Sequence, residues 1–425
     1  MRVVNIHAQN PPYAFMPAGD RPDRTWTRPD GTMLGAWRRE WPVLLGEAVR
    51  AVADTVSWEV WQLDARADRP YSCTWDSGIS HRLIPAIERT YPWLGTARAL
   101  GSPALIQECD GLSTDTIVVL HGFRVPFYIE LLHHLRGRPV VMMAHGMSIA
   151  PITELKGLHR PLTYYRLMTE QLALTAALRG ASLITAPSDF ACAQIRKVYD
   201  GRVERLTMGC DFHYWRPVPS PEAKRTLRER LGVPPDAIVL LTTGNFVPLK
   251  RFEALIASLA DVAAGRPFFL IIAGHGAPER VEALRRTMEP LASQRRGRIH
   301  PYVTGEALRD LYWASDLYVS RSVSEGASVS IMKALACGLP IVATPVGETA
   351  ERIAREGGGV LVADDDAAWR RAFEGILNDG GPNAIDREAA RRAYDWSHIA
   401  GRCVALLAAV AARSTSRSEP ALASR

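Results

Sequence analysis

The sequence predicts an α/β protein of two doubly wound, Rossmann-like domains, and three observations carry that expectation. Short, nearly continuous apolar runs alternate with longer segments whose apolar residues recur every three or four positions, the pattern of strands buried on both faces between helices. The alternation occurs twice, on either side of a break at Trp215-Arg-Pro-Val-Pro-Ser-Pro-Glu whose prolines can continue neither a helix nor a central strand. A chain of 425 residues also has room for two or three domains at roughly 100 to 200 residues each.

In the first half, strands are expected over residues 2–7, 57–63, 116–121, 139–145, 182–187 and 203–208, each an apolar run bounded by breakers. Helices fill the intervals at 35–52, 125–135, 162–178 and 188–198, where apolar residues stand three and four apart. After the break, Pro234-Pro235 precedes a strand at 237–243, and further strands are expected at 268–273, 298–303, 317–320, 341–344 and 360–362. Helices come between them at 251–264, 278–293, 306–315, 328–337, 349–355 and 367–378. Gly338 ends the fourth of these and Pro340 leads into the next strand, while Asp364-Asp365-Asp366 reads as a cap before the last helix rather than a metal site. Domain limits follow at 1–215 and 216–392, with a helix at 393–413 returning to the first domain and a disordered tail at 414–425. Two such domains facing each other enclose a cleft, the usual place for a ligand.

Composition narrows the function. With 47% hydrophobic and 23% charged residues, the bulk of the chain is neither fibrous nor disordered. The longest apolar run, 403–412, is about half of what a membrane-spanning helix needs, and the residues after Met1 lack a signal peptide's apolar stretch. A soluble cytoplasmic protein is expected, with room for peripheral contact at the inner face of the membrane. The net charge of +6 and pI of about 9.1 come without any block of five or six like charges, which argues against a nucleic-acid partner. Six cysteines lie far apart with no Cys-x-x-Cys pair, suggesting neither a disulfide framework nor a zinc site. Of the 51 basic residues only Lys156, Lys197, Lys224, Lys250 and Lys333 are lysines, so each points weakly to a site wanting a compact ammonium rather than a planar fork. Seven of the eleven tryptophans fall before residue 94, and most of them, including Trp58 and Trp61, are expected in the core.

No dinucleotide fingerprint follows the first strand, and in Gly274-His275-Gly276-Ala277-Pro278-Glu279 the third glycine position is Glu279, which disfavours an NAD-dependent dehydrogenase. The chemistry concentrates instead at 324–344. There a strand ends, Glu325-Gly326-Ala327 turns the chain, and a helix starts near Ser328, exposing backbone N–H groups where a diphosphate can bind. Upstream, Gly244-Asn245-Phe246-Val247-Pro248-Leu249-Lys250 joins a strand to a helix and supplies a cation at the same sheet edge.

These residues carry a resemblance. The second half is similar to the retaining nucleotide-sugar glycosyltransferases of GT-B fold, glycosyltransferase family four. That family runs Gly-Arg…Lys, Gly-x-Gly-Pro, Glu-x7-Glu, Gly-x-Pro-Val-Val-Ala-Thr and Gly-Gly-x-x-Glu. Gly244 and Lys250 match the first, Gly274 and Gly276 the second, Glu325 the start of the third, Gly338 to Thr344 the fourth, and Gly347 with Glu351 the fifth. Met208-Gly209-Cys210-Asp211-Phe212 looks like the family's Asn-Gly-Val-Asp turn. The resemblance implies metal-independent transfer of a sugar, with retention, from a nucleoside-diphosphate donor to a small-molecule, glycan or lipid-linked acceptor, with no cofactor.

By the same resemblance, Lys250 holds the donor diphosphate, Glu325 bonds a hydroxyl of the transferred sugar, and Gly326, Ala327 and Ser328 meet phosphate or sugar oxygens. Gly244, Asn245, Gly274, Gly276 and Lys333 complete the donor side. His145 resembles a histidine that the family places beside the donor sugar, donating a hydrogen bond at the reacting face, and it joins Glu325 and Lys250 as the catalytic set. His121 competes for that part and is otherwise assigned, with Gly35, to the acceptor side. Gly35-Ala36 stands for the family's Gly-Gly loop before the first helix, and the long segment 11–32 reads as an acceptor-covering loop.

Two positions depart from the pattern: Lys333 replaces the second glutamate, and Asn245 the arginine after Gly244. An ammonium cannot accept from two ribose hydroxyls, so Lys333 implies a weaker ribose clamp or a cation that compensates for the arginine. The departures keep two alternatives open, a catalytically silent nucleotide-sugar-binding relative and a GT-B nucleotide-sugar epimerase.

Overall fold

The apolar runs become the inner strands of two parallel sheets. The computed structural model describes residues 1–8, 25–27, 33–35, 41–65, 67–74, 77–91, 98–122, 125–145, 168, 172–260, 262, 267–303, 305–382 and 385–418. The chain divides into two compact units. The first runs up to Met208 and resumes at Trp396, and the second includes Gly209–Asp395.

The first unit comprises β1 (Arg2–His7), the short pair β2 (Thr25–Thr27) and β3 (Met33–Gly35), α1 (Trp41–Val52), β4 (Ser57–Asp64), β5 (Tyr71–Thr74) and β6 (Ser80–Pro85). There follow the antiparallel pair β7 (Ile87–Thr90) and β8 (Arg98–Gly101), α2 (Pro103–Asp110), β9 (Ile117–His121), α3 (Pro126–His134) and β10 (Val140–Met143). A helix over 172–178, here α4, β11 (Leu183–Ala186), α5 (Asp189–Arg196) and β12 (Val203–Arg205) complete this part. Eight strands form one sheet in the order β12-β11-β10-β9-β1-β4-β6-β5, with only the edge strand β5 antiparallel.

The period of two along each strand sorts its side chains between the faces. Val4, Ile6, Val118 and Leu120 join the core with α2 to α5, while Val3, Ile117, Val119 and Val141 join a second core with α1 and the C-terminal helix. Trp58 and Trp61 are buried, as expected.

The second unit contains α6 (Pro221–Leu231), β13 (Ile238–Asn245), a 3₁₀ turn (Pro248–Lys250), α7 (Phe252–Ala260), β14 (Phe268–His275), α8 (Pro278–Ala292) and β15 (Gly297–Pro301). It continues with α9 (Gly305–Ala314), β16 (Leu317–Ser320), α10 (Val329–Cys337), β17 (Ile341–Ala343), α11 (Thr349–Glu356), β18 (Gly359–Leu361), α12 (Asp366–Asp379) and α13 (Arg387–Tyr394). Its six strands are all parallel, in the order β15-β14-β13-β16-β17-β18. The last helix, α14 (Trp396–Ser418), belongs to the first unit and packs against α1. No helix among the described residues is long and apolar enough to cross a membrane.

Several expectations need correction. The units change over at Met208–Gly209 rather than at residue 215, because the segment before the prolines is tied to later residues: Cys210 N–H donates to the Tyr394 carbonyl at 2.8 Å, and Trp215 packs edge-on to Tyr312 at 5.3 Å. Gly35 ends β3, and the first helix starts at Trp41; residues 36–40, and all but 25–27 of the segment 11–32, lie outside the described residues. Helix α14 continues to Ser418, past the expected end at 413.

Strands β2, β3 and β5 to β8 and helices α2, α6 and α13 were not expected. Helix α6 buries no residue and so lacks an apolar stripe, yet Ser220 caps it through Ala223 N–H at 3.1 Å and Gly232 closes it in the left-handed region. Its boundary signals are present where its periodicity is not.

Candidate active site

In an open parallel sheet, loops at the carboxyl ends of the strands diverge where the strand order reverses, and ligands bind there. In the second unit that point lies between β13 and β16. The loop after β13 carries Lys250 and the loop after β16 carries Glu325. Val323 N–H donates to the Leu249 carbonyl at 3.0 Å and ties the two loops together.

Their charged groups meet: Lys250 Nζ lies 2.5 Å from Glu325 Oε1, with 19% and 10% of the side chains exposed. A lysine just before α7 opposes that helix's dipole, and Glu325 is the anion that offsets it. Beside the pair, α10 begins. Ser328 occupies its N-cap position but makes no side-chain capping bond, so its hydroxyl leaves the first-turn amides uncovered.

The glycines of the two motifs serve close packing. A Cβ on Gly274 would stand 1.8 Å from the Gly244 carbonyl oxygen, its partner in the β13–β14 register, and one on Gly276 would stand 2.8 Å from Phe246 Cβ. Asn245 is exposed at the end of β13. Gly347, at φ +57°, lets the next loop press on the turn, since a Cβ there would meet the Glu325 carbonyl oxygen at 2.3 Å. Glu348 N–H then donates to the Gly326 carbonyl at 3.3 Å. Buried Arg352 pairs with buried Glu348 at 2.5 Å and reaches the Ser328 carbonyl at 3.4 Å, anchoring the start of α10 from behind. Sequence reading passed over Glu348 and Arg352; their i, i+4 spacing on an otherwise polar helix is the signal that was available.

Asp365 caps α12, accepting from Ala368 N–H at 2.8 Å, and Asp364 and Asp366 accept from Arg251 at 2.7 Å and Arg321 at 2.5 Å. The acidic run is a cap and an arginine clamp, as its position before a helix suggests. The Lys333 ammonium lies 4.7 Å from the centre of the Trp215 ring, a cation–π contact.

In the first unit the strand order reverses between β1 and β9, and histidines gather there. His121 ends β9 and His145 follows β10. The two rings are bonded, His121 Nδ1 to His145 Nε2 at 3.0 Å. His7, at the end of β1, stacks on His121 at 4.6 Å, and His145 stacks on it at 5.2 Å. Burial holds His7 down to about 3 and His145 to about 4, and pulls His121 well below its ordinary value. The three rings are therefore neutral near pH 7, and among the described residues no group of three His, Cys, Asp or Glu is placed to hold a metal.

Residues 237–379 match the family described as Glycosyl transferases group 1. Those residues form a glycosyl transferases group 1 domain. The group 1 domain spans both Lys250 and Glu325, and the loops that bring them together fall within it.

Relatives carry the likeness further along the chain. D-inositol 3-phosphate glycosyltransferase 2 of Catenulispora acidiphila is 31% identical over 282 residues, 62% of this chain and 64% of its own length. The D-inositol 3-phosphate glycosyltransferase of Saccharomonospora viridis is 25% identical over 82% of this chain and 85% of its own length. The chain spans slightly less than two thirds of the length of the first curated relatives it matches.

Among solved structures, sucrose-phosphate synthase from Thermosynechococcus elongatus aligns over 97% of this chain and 99% of its own with a TM-score of 0.70 at 20% identity. Anabaena HepE in complex with UDP-glucose aligns over 96% of this chain and 100% of its own with a TM-score of 0.62 at 16% identity. The fold around the group 1 domain is thus GT-B, with two Rossmann-like units.

Proposed function

We propose that the chain transfers a sugar from a nucleoside-diphosphate donor to an acceptor hydroxyl, with retention at the anomeric carbon and without a metal. The observation that carries this reading is the Lys250–Glu325 pair beside the uncapped start of α10, inside a group 1 domain. When the bond from the sugar carbon to the diphosphate oxygen breaks, negative charge grows on the leaving phosphate. An ammonium and a helix N-terminus are suited to receive it. Donor binding then exchanges partners: phosphate takes the ammonium from Glu325, and the released carboxylate accepts from a hydroxyl of the transferred sugar.

The relatives' names suggest a phosphorylated cyclitol as the first acceptor to try. Labelled UDP-, GDP- and dTDP-hexoses incubated with and without inositol 3-phosphate test the reading. Sugar transfer only with acceptor supports it, acceptor-free interconversion would favour an epimerase, and nucleotide binding without turnover a silent relative. Full turnover is expected in excess EDTA, because Lys250 and the α10 amides fill the role a divalent ion would take. Activity lost to EDTA and restored by manganese or magnesium would refute metal independence.

Glu325→Gln should lower kcat by about 100-fold, the scale of losing one group aimed at the reacting centre. Affinity for nucleoside diphosphate should hold or rise, because the carboxylate no longer competes for Lys250. Calorimetry beside steady-state kinetics checks this, and an equal loss in both would move Glu325 off the sugar.

A further inference from the structure

Asn5 lies in the middle of β1, two residues before His7 and so on the same face, and is fully buried. Its Oδ1 is 2.6 Å from His121 Nε2, while its Nδ2 has no hydrogen-bond partner among the described residues. An orphaned buried N–H costs a fold stability. A fold that carries such a cost in the first strand of a sheet, at the strand-order reversal, gains something from where the amide oxygen points.

The gain is a fixed proton order. An amide oxygen only accepts, so His121 carries its hydrogen on Nε2. Its Nδ1 is then a lone pair, and His145 Nε2, at 3.0 Å, has to supply the hydrogen between them. A neutral His145 with its hydrogen on Nε2 has only a lone pair on Nδ1. We infer that Asn5 and His121 are positioning residues that lock His145 in the Nε2–H form, so that any group meeting its Nδ1 must donate. A sugar or acceptor hydroxyl qualifies, whereas a phosphate or carbonyl oxygen is refused. His145 thereby acts as an acceptor, in contrast to the donor role that its motif implies.

The inference rests on the proposed glycosyl transfer only for its kinetic readout. Two-bond nitrogen–proton correlation spectra of the full chain with labelled histidines, recorded near pH 7 and assigned with His121→Gln and His145→Gln, read the tautomers directly. Wild type should show Nε2–H for both residues. Asn5→Leu, which removes the acceptor, should mix the forms and lower kcat on the order of tenfold or more, with nucleoside-diphosphate affinity unchanged. A proton on Nδ1 of His145 in the wild type overturns the inference, as does an Asn5→Leu spectrum identical to wild type. Should Asn5→Leu fail to fold, the wild-type spectrum still decides. The expected tautomers in a chain that transfers no sugar would sink the glycosyl-transfer reading and leave this one standing.

Discussion

Lys250→Ala is expected to lower turnover by about 100- to 1000-fold, the scale of removing one preorganised group that meets developing charge. Lys250 follows β13, one of the two strands that flank the reversal point of the second sheet, and its ammonium holds the Glu325 carboxylate. The Lys250 side chain is one-fifth exposed and that of Glu325 one-tenth, so the variant leaves a largely buried carboxylate without its cation and should melt lower than the wild type while still folding. Lys250→Arg should not restore the rate, because a planar fork cannot place the compact charge of an ammonium between a carboxylate and a phosphate. Steady-state kinetics beside a thermal melt test both variants. Unchanged kcat in a folded Lys250→Ala protein would remove the residue from the reaction.

Lys250 and Glu325 were legible because each sits at a strand-to-helix junction beside glycines, and such junctions can be read one at a time. Their pairing was not legible. It depends on β16 lying beside β13, although 75 residues separate the two side chains along the chain. The histidines show the same limit. His121 and His145 read as rivals for one role, yet they share a hydrogen bond because β9 and β10 are neighbours with His121 level with Met143. Asn5 and His7 drew no notice, since Arg2–His7 reads as an apolar strand and only its alternation marks those two side chains as a separate face. Strand β6 was missed for a related reason: buried His81 looks polar in sequence, but Gln62 on β4 satisfies it at 3.1 Å. Fold class follows from local periodicity, whereas chemistry that spans strands requires the strand order.

Gly274→Ala is expected to destabilise the second unit by about 3 kcal/mol or more, the upper end of overpacking costs, and to abolish activity with it. The added methyl would stand 1.8 Å from the Gly244 carbonyl oxygen, and the obstacle is backbone in a paired strand rather than the end of a flexible side chain. Relief requires β13 and β14 to part at the end that leads to Lys250. A neighbouring bond resists this, since Phe246 N–H donates to the His275 carbonyl at 2.7 Å. At the size of this unit the penalty corresponds to a fall in Tm of roughly 6 to 12 °C. Gly375→Ala is the matched control: it lies within α12 with open space around the new methyl, and alanine is the better helix former. Differential scanning calorimetry of the two variants separates a steric cause from a general intolerance of change. A Gly274→Ala protein that melts with the wild type would show that the strand ends yield, and the close approach would then no longer explain why glycine stands at that position.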